Sequence, residues 1–90
     1  MVFQDAIFNW LQIKVVSDAR PEDNAAKETL EFFEQILHED HLLTEFSITQ
    51  IDETMYHVQY VKEGTSKKQM FDKERIEQLL TDINSNPKYN

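Results

Sequence analysis

A two-layer α+β domain in the order α-α-β-β-β-α, with a three-stranded antiparallel sheet and helices mainly on one face, is the fold class this sequence predicts. Three changes of pattern carry the prediction. Apolar residues recur at three- and four-residue steps up to about His38, alternate with polar residues from Phe46 to Phe71, and return to helical spacing after Asp72. Helices and strands segregated along a chain in this way pack as helices on one face of an antiparallel sheet. Ninety residues leave room for one core, so residues 1–83 read as a single domain.

In the first helix Phe3, Ala6, Ile7, Trp10, Leu11 and Ile13 form the apolar face, opposite Gln4, Asp5, Asn9 and Gln12. Its exit is ambiguous. Leu11, Ile13 and Val15 also alternate with Gln12 and Lys14, and β-branched Val15 and Val16 suit a short strand as well as a helix. The helix is expected to end near Val16, with Ser17 and Asp18 as N-cap types, Pro21 in a first turn, and Glu22 and Asp23 at the positive end of the next helix dipole.

The second helix then runs to about His38 with two adjacent apolar stripes. One is Ala26, Leu30, Phe33 and Leu37; the other, about 100° away, is Ala25, Thr29, Phe32 and Ile36. Two stripes imply two packing partners, the first helix and the sheet, leaving Glu28, Glu31, Glu34 and Gln35 to face water. Phe46 and Ile48, then Tyr56, Val58 and Tyr60, mark two strands joined across Asp52, Glu53 and Thr54. Glu63-Gly64 makes the next turn, with the chain's single glycine where a left-handed backbone is wanted. A short strand from Lys67 to Phe71 follows, and Asp72 caps a last helix carrying Ile76, Leu79, Leu80 and Ile83. Residues 84–90, polar and containing Pro87, are expected to form a flexible C-terminal tail.

Charge is divided unevenly. Residues 1–61 hold twelve acids against three bases, whereas Lys62 to Arg75 holds five bases against three acids, within a formal net charge of −8. An acidic balance disfavours generic attraction to nucleic acids or anionic lipid, so only a local basic patch would bind them. The 40% apolar fraction indicates a folded chain. With no cysteine there is no disulfide, thiolate site or thiol nucleophile, and a reducing cytoplasm fits best. Polar residues interrupt every apolar run and no basic segment opens the chain, so neither a membrane span nor a signal peptide is expected.

Several residue groups invite a chemical reading. His38 and His41, with Glu34, Glu39 and Asp40 nearby, offer the N and O ligands that zinc accepts, although the HExxH spacing and a third convincing ligand are absent. Histidines near a helix C-terminus also simply favour its dipole. His57 would be a general base if Glu45 or Asp52 lay across the ladder. Ser17, Ser47, Ser66 and Ser85 stand in no nucleophile-elbow context, and Gly64 alone makes no phosphate loop. No catalytic residue, metal or cofactor is therefore expected.

The candidate interaction residues are Lys62, Lys67, Lys68, Lys73 and Arg75 with Tyr56, Tyr60, Phe8 and Phe32. The five bases would grip phosphates or an acidic partner if the second hairpin brought them together; lysines on an edge strand equally prevent aggregation. Tyr56 and Tyr60 share a sheet face with Val58, which makes them core beneath helices or an aromatic platform on an open face. Phe8 falls on the polar arc of the first helix, and a cluster with Val15 and Phe32 would mark an interface.

From Pro21 to Ile83 the order helix, three strands, helix resembles the double-stranded-RNA-binding domain. That family carries a lysine-rich signature at the start of its last helix, where this chain reads Asp72-Lys73-Glu74-Arg75-Ile76-Glu77. The resemblance implies RNA binding as an alternative function; interleaved acids repel a phosphate backbone. The leading expectation is a small cytoplasmic protein of bacterial type, without enzymatic activity, that acts by contact with a protein partner or by self-association. In one version the acidic face of Glu28, Glu31 and Glu34 meets the basic hairpin of a second copy.

Overall fold

In the computed structural model, which describes residues 1–85, the expected order is present: α1 (Phe3–Ala19), α2 (Asn24–Glu39), β1 (Leu43–Ile51), β2 (Met55–Lys62), β3 (Thr65–Asp72) and α3 (Lys73–Ser85). The strands form one antiparallel sheet in the order β1-β2-β3. Among the described residues no helix is long and apolar enough to cross a membrane.

α1 is the centre of the molecule. Ala6, Ile7, Trp10 and Leu11 are fully buried, because α2 and α3 flank the helix while its lower side lies on the sheet. Phe3 packs against Tyr60 with ring centroids 5.3 Å apart, Trp10 stands edge-on to Phe46 at 5.1 Å, and Phe8 meets Phe71 at 6.4 Å. The ambiguity over residues 11–16 resolves as helix. Val16 is buried beside Ile13 and Ala26, and this packing outweighs the weak helix preference of a β-branched residue.

Two expectations at this junction need correcting. Ser17 and Asp18 are not caps: both lie inside α1, where Ser17 is buried and Asp18 pairs with Lys14 at 3.1 Å, one turn earlier. The cap of α2 is Asp23, whose Oδ1 accepts from the Ala26 N–H at 3.0 Å while Oδ2 accepts from Arg20 Nε at 3.3 Å. These donors, the Ala26 amide first, hold the Asp23 carboxyl below its ordinary range. Pro21 thus sits in the turn, ahead of the cap.

Tyr56, Val58 and Tyr60 all point into the core from β2. Tyr56 keeps its hydroxyl satisfied by donating to Glu77 Oε2 at 2.5 Å; burial first, and then the facing carboxylate, raise its phenol well above the usual value. The opposite face of the sheet is bare and mainly polar, with Ser47, Gln59 and Lys68 in one cross-strand row and Met70, paired with His57, as an exposed apolar residue. β3 begins two residues before Lys67, where Thr65 and Ser66 complete the ladder, and β1 begins three before Phe46, where buried Leu43 pairs with Lys62. Asp72 caps α3 as expected, accepting from the Arg75 N–H at 3.2 Å. α3 continues through Asn84 and Ser85, and the rest of the expected tail, residues 86–90, lies outside the described residues.

Lys62 pairs with Thr65, so Glu63 and Gly64 form a two-residue hairpin loop with φ of 52° and 77°. Both values are left-handed, the requirement of the tight turn that matches strand twist. A Cβ on Gly64 would meet no atom within 4 Å, so only backbone strain opposes one. Gly64→Ala is expected to cost about 1 kcal/mol, and Glu63→Asn to gain about 0.5 kcal/mol, in denaturant unfolding. Equal midpoints for all three proteins would contradict this account of the turn.

Candidate interaction surface

The five bases do not converge. Lys62 stands at the hairpin end of the sheet with Nζ 4.8 Å from the Phe3 ring centroid. Lys67 lies opposite Tyr60 and Lys68 opposite Gln59, which sends neighbouring lysines to opposite faces of β3. Lys73 and Arg75 belong to the far end of β3, roughly 25 Å away at 3.3 Å per residue. There Lys73 Nζ reaches the Asp52 carbonyl at 3.5 Å and the Arg75 guanidinium lies 5.3 Å from the Phe8 ring centroid. Cation-aromatic contacts hold the two end residues, and the lysines between them line an edge strand.

Tyr56 and Tyr60, 4% and 7% exposed, are core residues, so the open sheet face carries neither ring as a stacking surface. Phe8 is half-buried against Phe71 and Arg75, in a shallow cleft of about 560 Å³ between α1, β3 and α3; its neighbours are not Val15 and Phe32. His38 and His41 part company: His38 Nδ1 bonds the Leu43 carbonyl at 2.7 Å, and His41 Nε2 bonds the Met1 carbonyl at 3.0 Å. Among the described residues no three His, Asp or Glu side chains are placed to hold a metal ion.

His57 does have a carboxylate. Asp52 Oδ2 lies 2.7 Å from its Nε2, while Oδ1 accepts from the Thr54 and Met55 amides at 3.0 and 2.7 Å. The sequence offered Asp52 as one of two conditional partners; the turn between β1 and β2 selects it, because an aspartate there can fold back on the next three residues. The neighbouring Thr49 hydroxyl donates to the His57 backbone carbonyl and not to its ring. Asp52 therefore acts as a turn clamp, which α3 reinforces through the Lys73 N–H on the Thr54 carbonyl at 2.8 Å.

Phe32 is the candidate that the structure leaves open. Glu34 accepts from Trp10 Nε1 at 3.4 Å, and the His38 ring lies 5.0 Å from Phe46, which identifies the sheet-facing side of α2. Phe32 and Ile36, each two residues from Glu34, stand about 200° round the helix. Ala25, Thr29 and Phe32 of the second stripe thus face away from the sheet, and the expectation that the sheet would cover the stripe is corrected for these three, while Ile36 still packs against the core. α2 packs chiefly on α1 through its other stripe. Ala25 and Thr29 are exposed, Phe32 is 55% exposed and meets only the edge of the Phe33 ring at 5.4 Å, and Ile36 is half-buried against the core.

One end of this stripe continues in apolar surface. At the start of α2, Ala25 and Thr29 border a groove of about 210 Å³ lined also by Ile13, Val16 and Ile83. Beyond the end of α2, Leu42 is 56% exposed with φ of 59°, an uncommon backbone for a bulky residue. Sequence periodicity found the stripe but could not show that it lacks a partner. Leu42 gave no signal, since its left-handed conformation follows from how α2 is joined to β1. No protein-family model matches the chain, and no curated protein or solved structure matches it significantly.

The Asp52 clamp has a defined pH dependence. The His57 ring first, and then the two amides, lower its carboxyl from 3.8 to about 2. Because the folded value is depressed, the carboxylate's contribution is complete above pH 3.8 and is lost as pH falls toward 2. Asp52→Asn is expected to flatten stability against pH across that window relative to the wild type. Parallel acid-unfolding curves would rule out the clamp.

Proposed function

We propose that this domain works by protein contact and without catalysis of its own, with the outer face of α2 as the contact surface, in the cytoplasm. One observation carries the reading: α2 has two apolar stripes, and its own chain covers one of them but only Ile36 of the other. A solvent-facing phenylalanine alone is ordinary, but here it belongs to a helical stripe that runs into an apolar groove.

The other surfaces support the same choice. Thr44 and Thr49 are the extra residues at two register shifts in β1, which bend that edge, and Lys67 and Lys68 protect the edge at β3. Neither edge favours addition of a foreign strand. The bare sheet face is mainly polar, its exposed Met70 standing among Ser47, Gln59 and Lys68 rather than in an apolar stripe, and His57 has its Nε2 engaged by a turn.

A photo-crosslinking residue placed at Phe32 is expected to yield one discrete adduct in cells that express the protein natively, and the same residue at Lys68 none. Equal labelling from both positions, or none from either, would remove the reading. With Tyr56 and Tyr60 buried and the bases dispersed, neither single- nor double-stranded RNA is expected to bind at low salt. Retention that Lys67→Glu with Lys68→Glu abolishes would instead favour nucleic acid.

A further inference from the structure

The partner's chemistry can be deduced from the border of the α2 stripe. This inference rests on α2 being the contact surface and goes one step beyond it. Taking 100° per residue, Glu28 and Glu39 flank the stripe within about 60°, and Glu31 lies one step further round. All three are exposed. Gln35, on the same border, donates to Glu39 at 3.0 Å and leaves that carboxylate uncompensated. Lys27 is the one basic residue of α2 apart from its histidine, and it lies on the sheet-facing side with Glu34.

A second copy meets this border badly. In a two-fold antiparallel pairing of α2 with itself, each flank faces the same flank of the other helix, so the acidic border would confront its own acids. Two chains that each carry a net charge of −8 add to that repulsion. A helix with Lys or Arg at the matching positions meets the border favourably and covers the stripe.

A helix face offers no free backbone N–H or C=O for an extended segment to pair with, which favours a partner whose own backbone is satisfied, a helix. α2 spans 16 residues, roughly 24 Å, and the stripe from Ala25 to Ile36 takes about 17 Å of it, the length of three turns of a partner helix laid alongside. The groove between Ala25, Thr29 and Ile83 is open at one end of this track and receives an anchoring aliphatic side chain, as in recognition of amphipathic helices by apolar grooves. The geometry points to a basic amphipathic helix of a different protein, lying along Ala25, Thr29, Phe32 and Ile36 with its cations on Glu28 and Glu39.

The test is a titration of the intact protein with an 18-residue leucine/lysine peptide whose leucines form one helical stripe, followed by calorimetry. Two controls accompany it: a scramble of the same composition, and a leucine/glutamate counterpart. The patterned basic peptide is expected to bind at least tenfold tighter than either control. Phe32→Ser, which gives up an edge contact with Phe33 but no buried core side chain and is checked to be folded by its thermal transition, should weaken it at least tenfold. Glu28→Lys with Glu39→Lys should also weaken it, whereas Lys68→Glu should not.

Equal affinity for the scramble, or indifference to Phe32→Ser, overturns the inference. Sedimentation that reveals a dimer lost in Phe32→Ser also overturns it in favour of a second copy, while protein contact through α2 stands. A monomer that binds none of the peptides, together with no crosslink from position 32, removes both.

Discussion

Everything else in this fold is arranged around the burial of α1. A helix whose Ala6, Ile7, Trp10 and Leu11 are all inaccessible must be covered on more than one side before it is stable, and no neighbouring segment covers it alone. α2 supplies one flank from nearby in sequence. The floor and the other flank come from the far half of the chain, as the contacts of Phe3 with Tyr60, Phe8 with Phe71 and the Gln4 amide with Gln69 show. The N-terminal helix and the C-terminal sheet and helix therefore share one core cluster and stabilise each other. The resemblance to an RNA-binding arrangement begins at Pro21 and omits this helix, so it leaves out the element on which the core is built.

The far half reaches that position through two local devices. Asp52 gathers the Thr54 and Met55 amides and the His57 ring, which fixes the turn from β1 to β2. The first residue of α3 then bonds back to that turn through the Lys73 N–H, so the exit of β3 and the start of α3 are set by the same few atoms. Asp72 completes the junction as the cap. These are short-range bonds, but they direct Ile76 into the core and Glu77 toward the hydroxyl of Tyr56, which couples the turn to the packing of α1. Local turn chemistry and long-range burial point to the same arrangement, which is the condition for a single well-defined fold.

Element order and type were legible because periodicity reports them directly: the step from 3.6 to 2 and back places every helix and strand. The boundary at Ser17 and Asp18 was misread because cap-type residues have no meaning apart from the packing around them; Val16 and Ser17 are buried, and the helix continues over them. The candidate surface was half legible. Two stripes on α2 were plain, but which one would lack a partner depends on the tilt of α2, and that is set by Glu34 meeting Trp10 and by His38 meeting Phe46. Phe8 looked exposed on the polar arc because periodicity knew one face of α1, whereas the folded helix has three covered sides. The basic segment was legible as composition only, since alternation along β3 scatters what the sequence runs together.

That scattering changes what the charge division means. Were the hairpin one cationic site, an acidic helix on one molecule and a basic hairpin on the next would join head to tail, a contact that builds open chains unless its rotation closes. Lys62 and Arg75 are instead folded back over Phe3 and Phe8, and Lys73 turns in toward the Asp52 carbonyl. Lys67 and Lys68 remain on the edge strand, on opposite faces, where single charges discourage strand addition. The basic segment is thus spent on the protein's own surface. The acids of α2 are not: Glu28, Glu31 and Glu39 stand in water along an apolar stripe, where a low-dielectric partner surface would strengthen their attraction to cations. Attraction and apolar area coincide on this helix, and that coincidence supports α2, rather than the more conspicuous lysines, as the proposed contact surface.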